Sequence, residues 1–390
     1  MKTARSMDKW VEIDDQAIIN NLLGVYSLLS APTRLIAVVK ANAYGHGLVE
    51  TARLLAAYGV EHFAVTFLHE ALQLREGGID GSILLLSPLV DQPGLKKAIE
   101  ENITIMVASI FDAWLANQAS QDLQKSLSIH LKIETGLNRF GLSQAEALQV
   151  CGSLSGNPFI YIEGIYTHMA DAGASDPGFT LRQFQQFMQV AQSLEEAGYV
   201  IPIRHCANSA VTLRFPHMHL DAVRIGTLLS GQYPAGNLPK PITLSDPFQF
   251  KARIIAIKEC PAGSCLGYSR TFRLSRAAHI AVVPAGFIDG IAAEVANPSA
   301  GLIDALKKAI KILLALLHIS RFTIRVFVQG HPCPVVGKVF MQLTLVQIPS
   351  HLTVAVGEEV VIPVKKTLVS SSIARLHRRS PARVTAEGSQ

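Results

Sequence analysis

No two cysteines in this chain are spaced to hold a metal or to staple a loop. The five, Cys151, Cys206, Cys260, Cys265 and Cys333, are scattered, odd in number and form no CxxC pair. Neither a disulfide framework nor a zinc site is expected, and reduced thiols fit a cytoplasmic protein. Long apolar runs are scarce too. The most apolar window, Ile310 to Ile319, contains Lys311 and is too short to span a bilayer. The N-terminal stretch MKTARSMDKW has no apolar segment of the kind a signal peptide needs. Charge is also thin. Charged residues make up 17% of the chain, the net charge is +5, and the visible cluster is the tail Arg375, Arg378, Arg379 and Arg383. A basic stripe interleaved with aromatics is missing, which argues against nucleic acid as a partner, as the short apolar window argues against a membrane. With 49% hydrophobic residues over 390 positions, the chain is neither disordered nor fibrous, and it is long enough to bury more than one core.

What is present is alternation. Short apolar runs recur at Leu35–Val39, His62–Thr66, Ser82–Leu86, Ile103–Val107, Ile129–Ile133, Tyr161–Tyr166, Ile203–Cys206 and Ala222–Ile225. Helix-period segments lie before or between them, such as Ala17 to Leu29 and Phe184 to Ala197. Strands alternating with helices imply parallel pairing, and eight of them match a (β/α)8 barrel with a short seventh helix after Cys206; a doubly wound open sheet is the alternative. Past Gly231, Pro234, Pro239, Pro241 and Pro247 crowd together. Mostly β-type runs follow: Phe248–Ile257, Ile280–Val283, Ile324–Val328, Val335–Val339, Leu343–Val346 and Val360–Val364, interrupted by one expected helix, Ile303–His318. The expected division is therefore a barrel over residues 1–240 and a mostly β domain over 241–390.

Barrel function collects in the loops that follow the strands, with phosphate sites built after strands seven and eight. After the first strand, VVKANAYGHG puts Lys40 at the mouth and Tyr44 just beyond it. A lysine there is either a solvated strand end or a desolvated amine freed for Schiff-base chemistry. After the fifth strand, KIETGLNRFG brackets Arg139 between Gly136 and Gly141. The sixth ends in THM, placing His168 at the mouth, where it reads equally as structural or as a proton carrier. HCANSA and VRIGT follow the seventh and eighth, so Ser209, Gly226 and Thr227 offer donors to a phosphate, unless Asn208 and Ser209 are merely helix caps. Arg224, still on its strand, points towards a ring rather than a phosphate.

These segments, in this order and along nearly the whole chain, resemble the alanine racemase family. AVVKANAYGHG is similar to the family's cofactor-lysine signature. The resemblance implies pyridoxal 5'-phosphate attached to Lys40, with Tyr44 on its phosphate. It implies further cofactor contacts from His168, Asn208, Ser209, Arg224, Gly226 and Thr227, and a substrate side formed by Arg139 and Met341. Lys132 resembles a lysine that is carbamylated in many members to hold the arginine. AGSCLGYSRTF resembles the strand carrying the second catalytic base, here Tyr268. The implied reaction is racemisation of L- and D-alanine by two bases: Lys40 takes the proton of the D-substrate, and Tyr268 takes that of the L-substrate from the other subunit of a head-to-tail homodimer. Tyrosine is a poor base at neutral pH, so positive charge from Arg139 and His168 is expected to lower its pKa. The implied setting is the cytoplasm, with D-alanine passing to peptidoglycan, and no metal is implied.

The departures all fall in the second domain. Ser269 stands where the family has glycine, Phe287 where it has tyrosine, and Gln342, in FMQ, where it has aspartate. Ser371 aligns with a phosphate-contacting tyrosine, and an insertion falls between Ala292 and Ser320. These changes leave open serine or a broader set of amino acids as substrate. A related decarboxylase would bring a catalytic cysteine motif that this chain lacks, and a cofactor carrier would have no use for Tyr268 in a second domain.

Overall fold

A computed structural model describes residues 7–294, 301, 302, 305–307, 309, 310 and 324–378. The described chain forms two compact units that divide after Ile13 and again after Pro247.

The larger unit, from Asp14 to Pro247, is the barrel. Strand β1 (Lys9–Asp14) leads into α1 (Asp15–Tyr26), where Asp14 Oδ1 accepts from the backbone N–H groups of Gln16 and Ala17 and so caps the helix. Ala17, Ile18, Ile19, Leu22 and Val25 form the buried face of α1, as the spacing predicts, whereas Leu23 is exposed and the helix stops at Tyr26 rather than Leu29. The strands that follow are β2 (Arg34–Val38), β3 (His62–Val65), β4 (Ser82–Leu85), β5 (Ile105–Val107), β6 (Leu127–Lys132), β7 (Ile160–Tyr166), β8 (Ile203–His205) and β9 (Ala222–Ile225). Between them lie α2 (Lys40–Tyr44), α3 (Leu48–Ala57), α4 (Leu68–Glu76), α5 (Gln92–Glu100), α6 (Ile110–Leu123), α7 (Gln144–Leu154), α8 (Gly178–Glu196) and the short α9 (Ser209–Arg214). All the pairings are parallel, in the orders β4-β3-β2-β9 and β5-β6-β7-β8. Bridges Leu84–Thr104 and Ala207–Val223 join these halves and close the cylinder, so the open-sheet alternative fails. Buried Ile36, Val38, Ala64 and Leu84 pack together with Ile203 and Ala222, a core that strands with alternating inward side chains produce.

The smaller unit combines β1 with residues from Phe248 onward. Its strands are β10 (Phe248–Arg253), β11 (Ala256–Cys260), β12 (Cys265–Leu266), β13 (Phe272–Arg273), β14 (Ala278–Val283), β15 (Arg325–Val328), β16 (His331–Pro334), β17 (Thr344–Ile348), β18 (Glu359–Ile362) and β19 (Arg375–Arg378). Three corrections to the sequence reading arise here. Residues 9–13 do not belong with the barrel, because β1 pairs antiparallel with β10, Lys9 opposite Ala252 and Ile13 opposite Phe248. The run Phe248–Ile257 is two strands. Ile254 N donates to Glu358 O but Ile255 N donates to Val282 O, so the chain changes sheets at that point. Val335–Val339 is no strand: only Val335 bridges, to Val346, and Gly337 at φ +70° turns the backbone away. The expected helix Ile303–His318 lies largely outside the described residues.

Candidate active site

The ends of β2, β6, β7, β8 and β9 open onto a cavity of about 460 Å³. Ten residues singled out in the barrel sequence line it: Lys40, Tyr44, Lys132, Arg139, His168, Asn208, Ser209, Arg224, Gly226 and Thr227. The parallel strands, all pointing the same way, bring about this convergence at the barrel mouth, as the sequence reading expects.

Lys40 begins with a backbone that sequence periodicity does not foresee. Ala41, Asn42, Ala43 and Tyr44 all have positive φ, between 50° and 57°, followed by Gly45 at 95° and Gly47 at 100°. Left-handed conformation costs an ordinary L-residue about 1–2 kcal/mol, and such strain survives only where the surroundings over-determine it. Here the clamp is Glu70, a buried carboxylate. One oxygen accepts from Ala41 N at 2.6 Å, while the other accepts from Thr66 N at 2.9 Å and Phe67 N at 3.0 Å. Asn42 Oδ1 accepts from Leu48 N at 2.8 Å, tying the far end of the turn to α3. The result is a half-buried Lys40 whose pKa is lowered by burial and by the charge of Arg139. An amine so placed spends more of its time neutral and nucleophilic.

On the neighbouring strand β9 lies a buried arginine. Arg224 Nη2 donates to Thr167 O at 2.7 Å and lies 3.4 Å from His168 Nδ1, while Nη1 lies 2.7 Å from His205 Nδ1. Its guanidinium carbon sits 5.0 Å from the centroid of the Tyr166 ring, which stacks on His205 at 4.8 Å and 11°. Burial, then the charges of Arg224, Lys132, Arg139 and Lys40, push His168 well below the usual histidine range. The expectation that His168 supplies positive charge to another group is therefore corrected: the same cations that crowd it keep its ring neutral.

Lys132 is buried at the end of β6, its Nζ donating to Ile133 O at 2.9 Å. Burial first, then Arg224 and Arg139, bring its pKa down to about 7. The loop beyond is pinned by Glu134 N to Leu142 O and Leu142 N to Lys132 O. Gly141 is required in it, since a Cβ would fall within 2.5 Å of Glu134 N. Arg139 is exposed at the loop tip with its guanidinium carbon 5.8 Å from the Phe140 ring centroid. Proximity to Lys132 is therefore electrostatic in this state.

The anion cradle divides into a capping part and a receiving part. Asn208 is the cap of α9, its Oδ1 accepting from Ala210 N and Val211 N at 3.0 and 3.1 Å, so the capping role weighed for it is the one observed. Ser209, Gly226 and Thr227 face the cavity beside Tyr44, whose hydroxyl pKa burial pushes up to about 12. At Gly226 a Cβ would overlap the Tyr44 hydroxyl and lie within 2.6 Å of ring atoms Cε2 and Cζ. Close backbone approach here depends on the absent side chain.

The site holds three residues that the sequence reading passed over. Tyr166 and His205 lie on β7 and β8 beside residues that were noticed, and the period-two pattern, which places position 166 inward from His168, was the signal available. Glu70 had a weaker signal: it is the third residue of α4, where a carboxylate reaches back to cap.

In the smaller unit Tyr268 is exposed, its ring 5.1 Å from that of Phe340. Ser269 has φ +59°, a conformation that glycine adopts freely. Its hydroxyl accepts from Lys338 Nζ at 3.3 Å. Phe287, Met341, Gln342 and Ser371 are all exposed. The insertion lies largely outside the described residues. Among the described residues no cluster of metal-ligating side chains occurs, and no helix is long and apolar enough to cross a membrane.

Comparison with known proteins places this geometry. Family models described as the alanine racemase N-terminal and C-terminal domains match residues 13–234 and 248–386. A protein named alanine racemase 1 from Oceanobacillus iheyensis is 34% identical over 363 residues, covering 93% of this chain and 89% of its own. Alanine racemase 2 of the same organism is 39% identical over 291 residues, 74% of each chain. Among solved structures, an alanine racemase from Clostridium difficile 630 superposes with a TM-score of 0.84 at 26% identity, covering 96% of both chains. One from Bacillus anthracis with bound L-Ala-P gives 0.81 at 27% identity and 95% of both. With both domain models matched in order and relatives aligned over most of its length, the chain belongs to the alanine racemase family.

Proposed function

We propose that this enzyme interconverts L- and D-alanine using pyridoxal 5'-phosphate bound in the barrel cavity. The single observation that carries the reading is the convergence on one cavity of Lys40, its pKa lowered, with Arg224 and a glycine-built cradle at Gly226. The residues present fit the cofactor. Lys40 would hold its carbonyl carbon; Tyr44, Ser209, Gly226 and Thr227 would receive its phosphate; and Arg224 would face the ring nitrogen. Arginine gives up its proton unreadily, so Arg224 would not pass one to that nitrogen. When bound, the cofactor supplies the sink for the electron pair left as the α-proton departs.

The protein's own groups then handle the proton. The amine of Lys40 removes or returns it on one side of the α-carbon. Tyr268 of the partner subunit acts on the other, because inversion at one carbon needs opposed bases. Tyr268, carried on the smaller unit and exposed in the single chain, supports a head-to-tail dimer, with Met341 on the substrate side. Lys132, whose amine is half neutral near pH 7, is ready for carbamylation, and an anionic carbamate would draw Arg139 inward. Ser371 has no phenol to offer the phosphate, which leaves that contact to Tyr44. The enzyme works in the cytoplasm and supplies D-alanine for peptidoglycan.

The test is exchange in deuterated water. L-alanine and D-alanine are supplied separately to purified enzyme, with L-serine in parallel, and optical inversion is followed alongside deuterium at the α-carbon. Inversion with exchange from both alanine enantiomers is expected, and Lys40→Ala and Tyr268→Phe each abolish inversion. A cofactor-loaded protein that exchanges no α-proton on any amino acid would refute the proposal.

A further inference from the structure

A chain of buried polar groups runs from Arg224 through the barrel to its opposite end. Arg224 Nη1 lies 2.7 Å from His205 Nδ1; His205 Nε2 lies 2.8 Å from His130 Nδ1; and His130 Nε2 lies 3.2 Å from Glu163 Oε2. Arg224, His205 and His130 are all buried. Glu163 lines a small pocket with Arg34, His62 and Ser82, the first residues of β2, β3 and β4. It therefore sits where the strands start, whereas Arg224 faces the cavity where they end.

We propose that Glu163 is a positioning residue for Arg224: acting through His130, it fixes the ring tautomer of His205, and His205 in turn holds the guanidinium at the cavity. A guanidinium has donors only, so His205 Nδ1 must accept. A neutral His205 then carries its proton on Nε2 and donates to His130 Nδ1. His130 in turn carries its proton on Nε2 and donates to the carboxylate. Direction is thus set at both ends, by a group that only donates and a group that only accepts. Burial and the Arg224 charge hold His205 well below the usual histidine range, consistent with a neutral ring.

Two features of the fold serve this alignment. The β6–β7 register shifts, Ile129 pairing with Ile162 but His130 with Gly164, so Glu163 is the extra residue of a bulge. Bulges re-aim side chains, and this one turns the carboxylate onto His130. At Gly164 a Cβ would lie 2.6 Å from His130 Cε1 and Nδ1, so the ring occupies space that only glycine leaves open. Thr104 Oγ1 donates to the same Glu163 oxygen at 3.3 Å. Without the carboxylate, His130 is free to carry its proton on Nδ1. His205 Nε2 would then accept, and its Nδ1–H would confront the donor of Arg224.

The catalytic consequence rests on reading Arg224 as facing the cofactor, but the tautomers are read without any reaction. The experiment is 15N NMR of histidine-labelled holoenzyme. In the wild type at neutral pH, His205 and His130 are both expected as neutral Nε2–H tautomers. Glu163→Leu is expected to populate the Nδ1–H form of both rings and to lower kcat about tenfold or more with KM little changed, the loss of one hydrogen bond to a charged group. Glu163→Gln, whose amide oxygen still accepts, should restore the wild-type pattern. Gly164→Ala, which displaces His130 and removes no polar group, should repeat the Leu result. A wild-type Nδ1–H signal on His205, a protonated His130 at neutral pH, or unchanged His205 signals in Glu163→Leu would overturn the proposal. The wild-type spectrum decides even if Glu163→Leu fails to fold, and an inactive enzyme with the expected tautomers would count against the racemase reading alone. A merely structural Glu163 would lower Tm and leave the tautomers as they are.

Discussion

Replacing Gly226 with alanine should weaken cofactor binding without unfolding the barrel. Gly226 does not have positive φ, so the added methyl brings no backbone strain. Its cost is a collision: the Cβ would overlap the Tyr44 hydroxyl and come within 2.6 Å of ring carbons Cε2 and Cζ, where ordinary contact begins near 3.4 Å. The ring is stiff and must swing as a whole by about 1 Å, and it lines the cavity together with Gly226. Overpacking of this kind costs about 1–3 kcal/mol, which corresponds to roughly 5- to 150-fold weaker affinity if the ring moves into the place of the phosphate. Titrating apoenzyme with pyridoxal 5'-phosphate, followed by the cofactor absorbance band, gives the affinity, and thermal unfolding of the apoenzyme gives the stability. The pair Gly226→Ala and Tyr44→Ala should be strongly non-additive, because once the ring is gone the methyl has nothing to strike. Wild-type affinity in Gly226→Ala, or additivity in the double variant, would refute the reasoning.

Glu70→Ala leaves the backbone N–H groups of Ala41, Thr66 and Phe67 without their carboxylate, and chemical denaturation should show a loss of about 3 kcal/mol; a change below about 1 kcal/mol would mean that the left-handed turn stands without it. Ser269→Gly should stabilise the protein by about 1 kcal/mol in thermal melts, since a serine at φ +59° carries a cost that glycine avoids; an unchanged or lower Tm would contradict this. For Lys132 the folded pKa is about 7 against an ordinary 10.5, so between those values the unfolded chain holds a proton that the folded chain lacks, and stability rises with pH across that window. Bicarbonate should add to the stability without abolishing the rise, since the carbamate forms only on the neutral amine of the folded chain while the unfolded lysine still takes up its proton, and 13C NMR with labelled bicarbonate should report the carbamate. A flat profile in carbon-dioxide-free buffer would remove the basis for the assignment.

The barrel was legible because its signals are local. The apolar runs at Leu35–Val39 and Ala222–Ile225 became β2 and β9, with ends within about a residue of those expected, since burial of alternate or continuous side chains leaves a pattern readable in any short window. The second domain was less legible where sheets exchange strands. Phe248–Ile257 is one β-type run and two strands, and Val335–Val339 looks extended until Gly337 turns it. Nothing in the spacing says which sheet a β-type segment will join.

The sequence by itself determined the alternation that closes a barrel, the placing of Lys40, Arg139, His168, Ser209 and Arg224 at strand ends, and the family, because each depends on residue type at short spacing. Only the tertiary structure decided that β1 leaves the barrel to pair with β10, that Glu70 reaches back to hold four residues left-handed after Lys40, that His168 is kept neutral, and that Tyr166, His205 and His130 stand behind Arg224. These are contacts between residues tens to hundreds of positions apart. Their energies come from burial and from the few hydrogen bonds a buried polar group has available, and no window of the chain carries that information until the strands lie side by side.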